Sequence, residues 1–196
     1  MFQDNYSYNV FINCPFDNEY LGLRNALVFA IYDCGFTPRC ALEENNSANV
    51  RVDKIKKLIE HSQFGVHDIS RIELDSKTNL PRFNMPLELG VFLGAMYFGN
   101  KKQKDKNCLI LDNISHRYQA FISDIAGQDI RWHSNSSEKL ITHVRDWLND
   151  SAKSIKIMPG GKEISRRFYQ FEKKLPIMCK QLKIELTFTF IQSFFS

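Results

Sequence analysis

The chain has no apolar run of 18 residues, so no segment is expected to cross a bilayer as a helix. A basic start followed by an apolar stretch, the pattern of a secretory leader, is also missing. The five cysteines, Cys14, Cys34, Cys40, Cys108 and Cys179, form no CxxC pair and show no metal-ligand spacing. An odd set of thiols in apolar settings fits a reducing cytoplasm, where cysteine acts as a small hydrophobe. Chemical signatures are scarce too. There is no GxGxxG, the Pro159-Gly160-Gly161-Lys162 run lacks the spacing of a P-loop, and no nucleophile elbow is present. His116, His133 and His143 do not fall at metal-ligating intervals, so no metal is expected. No internal repeat is visible.

What remains is the composition of an ordinary folded domain. Of 196 residues, 43% are hydrophobic and 24% charged, which argues against a disordered or fibrous chain. The length suits one domain, or one domain with an extension. Sixteen phenylalanines predict an aromatic-rich core or interface. The charge is lopsided. Residues 1–100 carry 9 basic and 12 acidic side chains, a net −3, and residues 101–196 carry 17 and 10, a net +7. A basic second half could meet phosphates or an acidic partner, although a lysine-rich solvated surface explains it as simply. Nucleic acid is the weakest of the partner readings. The Lys101–Asn107 run, KKQKDKN, reads as a solvated connection.

Along the chain, short apolar runs alternate with helical periodicity. Strands are expected over 8–14, ending at Pro15, and over 37–42, 63–70 and 107–112, with a weak one near 128–132. Helices are expected over 19–35, stopped by Gly35, over 49–62 and over 136–150, with a further one opening near Pro86. The stretch 116–125 reads as a short helix or turn. Alternation of this kind predicts an α/β protein with a flavodoxin-like three-layer fold and a mostly parallel five-stranded sheet. The first domain should span 1–150. Residues 151–162 read as a linker, and 151–196 as a C-terminal extension. That extension comprises a helix over 163–175, which Pro176 should end or kink, and an aromatic tail in which Leu186, Phe188 and Phe190 alternate as in a strand. An aromatic tail must pack on the domain or on a partner.

Residues 81–100, PRFNMPLELGVFLGAMYFGN, hold a single charged side chain after Arg82, namely Glu88. Pro86 suits a first helical turn, with Asn84 or Met85 as the cap. Glu88 then lies close to the positive end of the helix dipole, which favours the ionised form by about 0.3–1 kcal/mol. Open parallel sheets bind ligands at the carboxyl ends of their strands, where the topology reverses. Three segments should meet there: 13–17, 67–70 and the helix start carrying Glu88. An ionised carboxylate in a partly dry cleft suits the stabilisation or capture of an oxocarbenium ion at a sugar C1. Gly90 and Gly94 each cost roughly 1 kcal/mol against alanine inside a helix. They suggest a close approach to the sheet or to a ligand. A glutamate that merely complements the dipole of a tightly packed helix is the plain alternative.

The runs VFINCPFD (10–17), HDIS (67–70) and NMPLELGVFLGA (84–95) resemble the nucleoside 2-deoxyribosyltransferase superfamily and the related TIR-type domains. The likeness covers about residues 8–150. It implies that Glu88 is the catalytic carboxylate, that Asp68 contacts the sugar or orients the base, and that Asn13, Pro15 and Phe16 line a nucleotide pocket. Two features depart from the pattern. FNMP stands where such transferases show Asp-x-Gly-Thr, and the Trp-Cys pair that often precedes the glutamate in TIR enzymes is missing. Beside the resemblance, Ser70 and Arg71 could bind phosphate or a ribose hydroxyl, and Arg82 and Asn84 could hold a diphosphate. Asp17 is either a substrate contact or a helix cap. His67 reads as a packed core histidine, and the polar stretch 123–133 as a candidate pocket wall.

The expected activity is cleavage of an N-glycosidic bond in a nucleotide. NAD+ is the leading substrate, nicotinamide the leaving group, and the resemblance implies a bacterial anti-phage setting. NAD+ would be a substrate, with no cofactor required. Activity should depend on assembly, as a homo-oligomer or with a partner protein, through the C-terminal part. The alternatives are base exchange or hydrolysis on a deoxynucleoside or its monophosphate, and a non-catalytic module that binds a nucleotide signal.

Overall fold

Five extended runs form one wholly parallel sheet, in a computed structural model that describes residues 5–42, 50–74, 79–152 and 157–183. The strands are β1 (Asn9–Asn13), β2 (Thr37–Arg39), β3 (Phe64–Asp68), β4 (Asn107–Asp112) and β5 (Ile130–Trp132). Their order is β2-β1-β3-β4-β5, the flavodoxin-like arrangement, in which the chain reverses direction across the sheet at β1. β1 and β3 are buried along their whole length, as strands covered on both faces must be. In register, Asn13 lies opposite His67 and Asp68 opposite Leu111, so the polar ends of β1 and β3 share one edge of the sheet. The helices are α1 (Leu21–Asp33), α2 (Arg51–Glu60), α3 (Asn84–Phe98), α4 (Lys101–Lys104), α5 (Ser137–Ser151) and α6 (Gly161–Leu182). The stretch 116–125 forms two single 3-10 turns, Arg117–Ala120 and Ser123–Ile125.

α1 and α5 cover one face of the sheet, while α2 and α3 pack together with Phe11 on the other. α6 lies outside α1 and α5 and contributes Ile164 and Phe168 to the same core. Phe29 of α1 meets Phe168 and Phe171 at centroid distances of 5.6 and 5.4 Å. This layer explains a sequence oddity. α1 is buried from Leu23 through Ile31 without a break, which a helix on a two-sided sheet needs only when something covers its outer side. The extension therefore completes the hydrophobic core of residues 5–152. Among the described residues, no helix is long and apolar enough to cross a membrane.

Three local expectations need correction. Pro176 does not end the last helix, which continues to Leu182. Leu175 and Cys179 are buried on either side of it, and that packing outweighs the one backbone hydrogen bond a proline removes. The lysine-rich run 101–107 is only partly a solvated connection. Gln103 and Lys106 are buried, and Lys106 Nζ donates to the carbonyls of Ile59 (2.6 Å) and Ser62, closing the C-terminal end of α2. Burial, with Lys102 nearby, lowers that ammonium to about 7. Gly90 and Gly94 mark no close approach inside the molecule, because a Cβ at either position would meet nothing within 4 Å.

Inside the sheet, packing requires a glycine at Gly65. A Cβ there would lie 2.7 Å from the Phe92 ring and 2.8 Å from His67 Nε2. Neither side chain can retreat, since both are fully buried. Gly65→Ala should lower stability by about 1–3 kcal/mol through overpacking. A thermal melt would show this as a fall of roughly 2–4 °C for each kcal/mol.

Candidate active site

The site is assembled around the last residue of β1. Asn13 is buried, and its Nδ2 donates to the Met85 carbonyl (2.8 Å) and to His67 Nδ1 (3.1 Å). One side chain thereby ties the ends of β1 and β3 to the first turn of α3. With Nδ1 accepting, His67 carries its proton on Nε2. Its ring packs between Phe11 (5.8 Å) and Phe92 (4.9 Å). Burial first, then the Lys106 charge, lowers the imidazole to about 3, so it stays neutral. His67 is a core histidine and Asn13 a strut. Pro15 is buried behind it, while half-buried Phe16 lies 5.7 Å from the Arg24 guanidinium.

Glu88 is the fifth residue of α3 and lies on its inner side with Met85, Leu89 and Phe92. It is 7% exposed. The cap of this helix is Phe83, which makes no side-chain capping hydrogen bond; neither Asn84 nor Met85 is the cap, because the helical turn already begins at Asn84. Glu88 thus sits one turn in, where the dipole field has largely decayed. Burial dominates instead and raises its carboxyl above the ordinary value, with Arg51 pulling the other way. The expectation that the helix position shifts this group towards its ionised form is therefore corrected: burial outweighs the dipole and shifts it towards the protonated form.

Arg51, the first residue of α2, brings a guanidinium nitrogen to 4.0 Å from Glu88 Oε1. Its side chain is 55% exposed. At that distance no hydrogen bond joins the two groups, so both keep donors and acceptors for a third party. The carboxylate also acts on Cys14, whose buried thiol is pushed up by desolvation and then by Asp68, Cys40 and Glu88, against Arg24. Glu88 and Asp68 therefore both lie within electrostatic reach of the turn that leaves β1.

Asp68 is fully buried and its oxygens are taken up by the protein. Oδ2 accepts from the Tyr20 hydroxyl and faces His133 Nε2 at 3.0 Å; Oδ1 accepts from the Ser70 N–H at 2.8 Å. His133 Nδ1 in turn accepts the Asn135 N–H at 3.0 Å. Burial alone would raise the Asp68 carboxyl, but the contacts with His133, Ser70 and Tyr20 outweigh it and hold it below the ordinary value. Asp68 fastens the loop after β5 and the turn before α1 to the end of β3. Ser70 is also buried, and its carbonyl accepts from Arg117 at 2.7 Å. Arg117 itself pairs with Asp112 at 2.6 Å.

The remaining candidates form a rim. Asp17 accepts the Tyr20 N–H at 2.9 Å as a helix cap, and it also faces Arg82 (3.5 Å) and Arg71 (3.7 Å). Arg71 pairs more closely with Glu19, at 2.5 Å. Arg82, just ahead of α3, and Asn84, its first residue, are exposed. The polar stretch 123–133 does line hollows. Gln128, Asp129 and Arg131 border one of about 230 Å³ with Trp147, and Asp129 to Trp132 border another of about 330 Å³ with Lys139 and His143. Neither hollow includes Glu88. Among the described residues, no three His, Cys, Asp or Glu side chains gather as a metal site.

Sequence reading missed Arg51, Tyr20 and His133. Arg51 left a trace: a cation at the first helical position opposes the helix dipole and needs a compensating charge. Tyr20 and His133 left none, since only the fold brings them to Asp68. Neither a protein-family model, nor a curated protein, nor a solved structure matches this chain.

Proposed function

We propose that the protein cleaves the N-glycosidic bond of a nucleotide, with NAD+ as substrate and nicotinamide as the released base. The observation that carries this reading is Glu88, a carboxylate more than nine-tenths buried on the inner side of α3 and 4.0 Å from a guanidinium that it does not hydrogen-bond. A pyridinium leaving group departs already charged and needs no proton donor, so one carboxylate suffices to stabilise or capture the ribosyl cation. The resemblance of 10–17, 67–70 and 84–95 to deoxyribosyltransferases and TIR-type domains supports the same assignment, as does the flavodoxin-like sheet order. A bacterial defence role follows from that resemblance.

The raised carboxyl of Glu88 favours a second reading. A protonated carboxyl could assist departure of a neutral purine or pyrimidine from a deoxynucleoside or its monophosphate. Incubation of the purified protein with NAD+ and a panel of deoxynucleosides, resolved by chromatography, separates the two. Free nicotinamide supports the first and a free nucleobase the second; tight nucleotide binding without either product indicates a signal-binding module.

Arg51 is the group best placed to hold an anionic part of the substrate beside Glu88. Arg51→Gln should raise KM about tenfold, the loss of roughly one charge-assisted contact. It should also move the acid limb of the pH–rate profile to higher pH, because Glu88 loses the cation that lowers its carboxyl. Steady-state kinetics across pH would check both effects.

A further inference from the structure

α3 is apolar on nearly every side, as α1 is, yet among the described residues only α1 has a helix over its outer surface. On α3 the outward stripe runs Phe83, Leu87, Gly90, Gly94, Tyr97 and Phe98, opposite the buried Met85, Leu89 and Phe92. Phe83 is 68% exposed, Leu87 59%, Tyr97 55% and Phe98 90%. At about 200 Å² for each such side chain, these four alone leave roughly 500 Å² of apolar surface in water. That equals a large patch on a monomer and approaches the roughly 800 Å² each partner buries in a standard interface. Half-buried Val91, and Leu80 just ahead of the helix, lie within reach of the remainder.

We infer that this face of α3 is a docking surface for the same face of a second copy of the chain. Three observations select that occupant. From Phe83 to Tyr97 the order along the stripe is large, large, small, small, large, so it reads nearly alike in both directions. A two-fold axis through its middle would set Gly90 of one copy over Gly94 of the other, and Leu87 over Tyr97. Such self-complementarity is what an isologous contact demands. The stripe carries no charge, since Glu88, the one charged residue of α3, points inward. Groups close to a two-fold axis face their own copies, and the middle of this face has no charge there to repel. The third observation is the pair of glycines. Each weakens the helix, and a Cβ at either would meet nothing in the monomer. Their smallness serves no packing among the described residues, but it lets two helix backbones approach closely. Spacings of four, three, four and three residues from Phe83 to Tyr97 are those of a helix–helix seam. The inference does not depend on the glycosidase reading.

Sedimentation velocity on the full chain, from micromolar to hundreds of micromolar, tests it with Gly94→Ala and Gly94→Leu. The wild type should show a concentration-dependent dimer. Gly94→Leu should weaken association at least tenfold, and Gly94→Ala should weaken it less. In dilute solution Gly94→Ala should melt higher than wild type, by roughly 2–4 °C, because alanine favours the isolated helix. Opposite signs on folding and on association distinguish an interface from a packing defect. A wild type that stays monomeric throughout overturns the inference. So does a dimer whose association is unchanged in both variants, because it must then use another face.

Discussion

Glutamine at position 88 should cut base release from NAD+ by about a thousandfold, the size expected when a preorganised electrostatic partner of the transition state is removed. Folding should not suffer. Glutamine keeps the shape of the side chain and removes a desolvated charge, so the melting temperature should hold or rise, as is common when a strained site residue is replaced. The wild-type pH profile adds a second check. Burial raises the Glu88 carboxyl, so catalysis by the ionised form fades as pH falls through a value above the ordinary carboxylate range. The residual rate of the glutamine variant should lack that limb. If the protonated form instead assists a neutral base, the wild-type rate climbs towards acid. Turnover in Glu88→Gln equal to wild type would remove Glu88 from the chemistry altogether.

Asp68→Ala should be strongly destabilising. It strips the shared partner from Tyr20, His133 and the Ser70 N–H at a fully buried point, a loss of roughly 3–5 kcal/mol. At roughly 2–4 °C for each kcal/mol, the melting temperature should fall by about 6–20 °C. The pH dependence has a definite sign. The folded-state carboxyl of Asp68 lies below its ordinary value, so the unfolded chain binds its proton first as pH falls. The associated stability is complete above about pH 4 and is lost only as the solution is acidified through the depressed folded value. Chemical denaturation at neutral pH and near pH 3 should therefore show a gap between wild type and Asp68→Ala that narrows with acidification. A gap of under 1 kcal/mol at neutral pH would mean that the Tyr20–Asp68–His133 cluster does not hold the strand ends together.

Much of the candidate site's outline is legible in the sequence alone. Glu88 stood out because a lone charge in an apolar helical run is costly, and Pro86 announced that the helix starts just ahead of it. Asn13 and Asp68 stood out because they end strands whose apolar runs are unambiguous. Their roles were not legible. Asn13 bonds Met85, 72 positions away, and Asp68 meets His133, 65 positions further along the chain. Contacts over such separations leave no local pattern. The glycines misled for a related reason. Composition shows that a residue is small, but not where the room is needed, and Gly65 is crowded while Gly90 and Gly94 are not.

The sequence by itself determined the alternation of strand and helix, the parallel sheet that follows from it, and the helix that carries the one unusual carboxylate. Those are consequences of local periodicity and turn chemistry, which act over a few residues. Only the tertiary structure decided that Glu88 is desolvated beside Arg51, that Asp68 is spent on holding strand ends, and that among the described residues α1 is roofed while the outer side chains of α3 stay exposed. Burial and charge pairing are properties of the assembled layers, and residues far apart in the chain create them together.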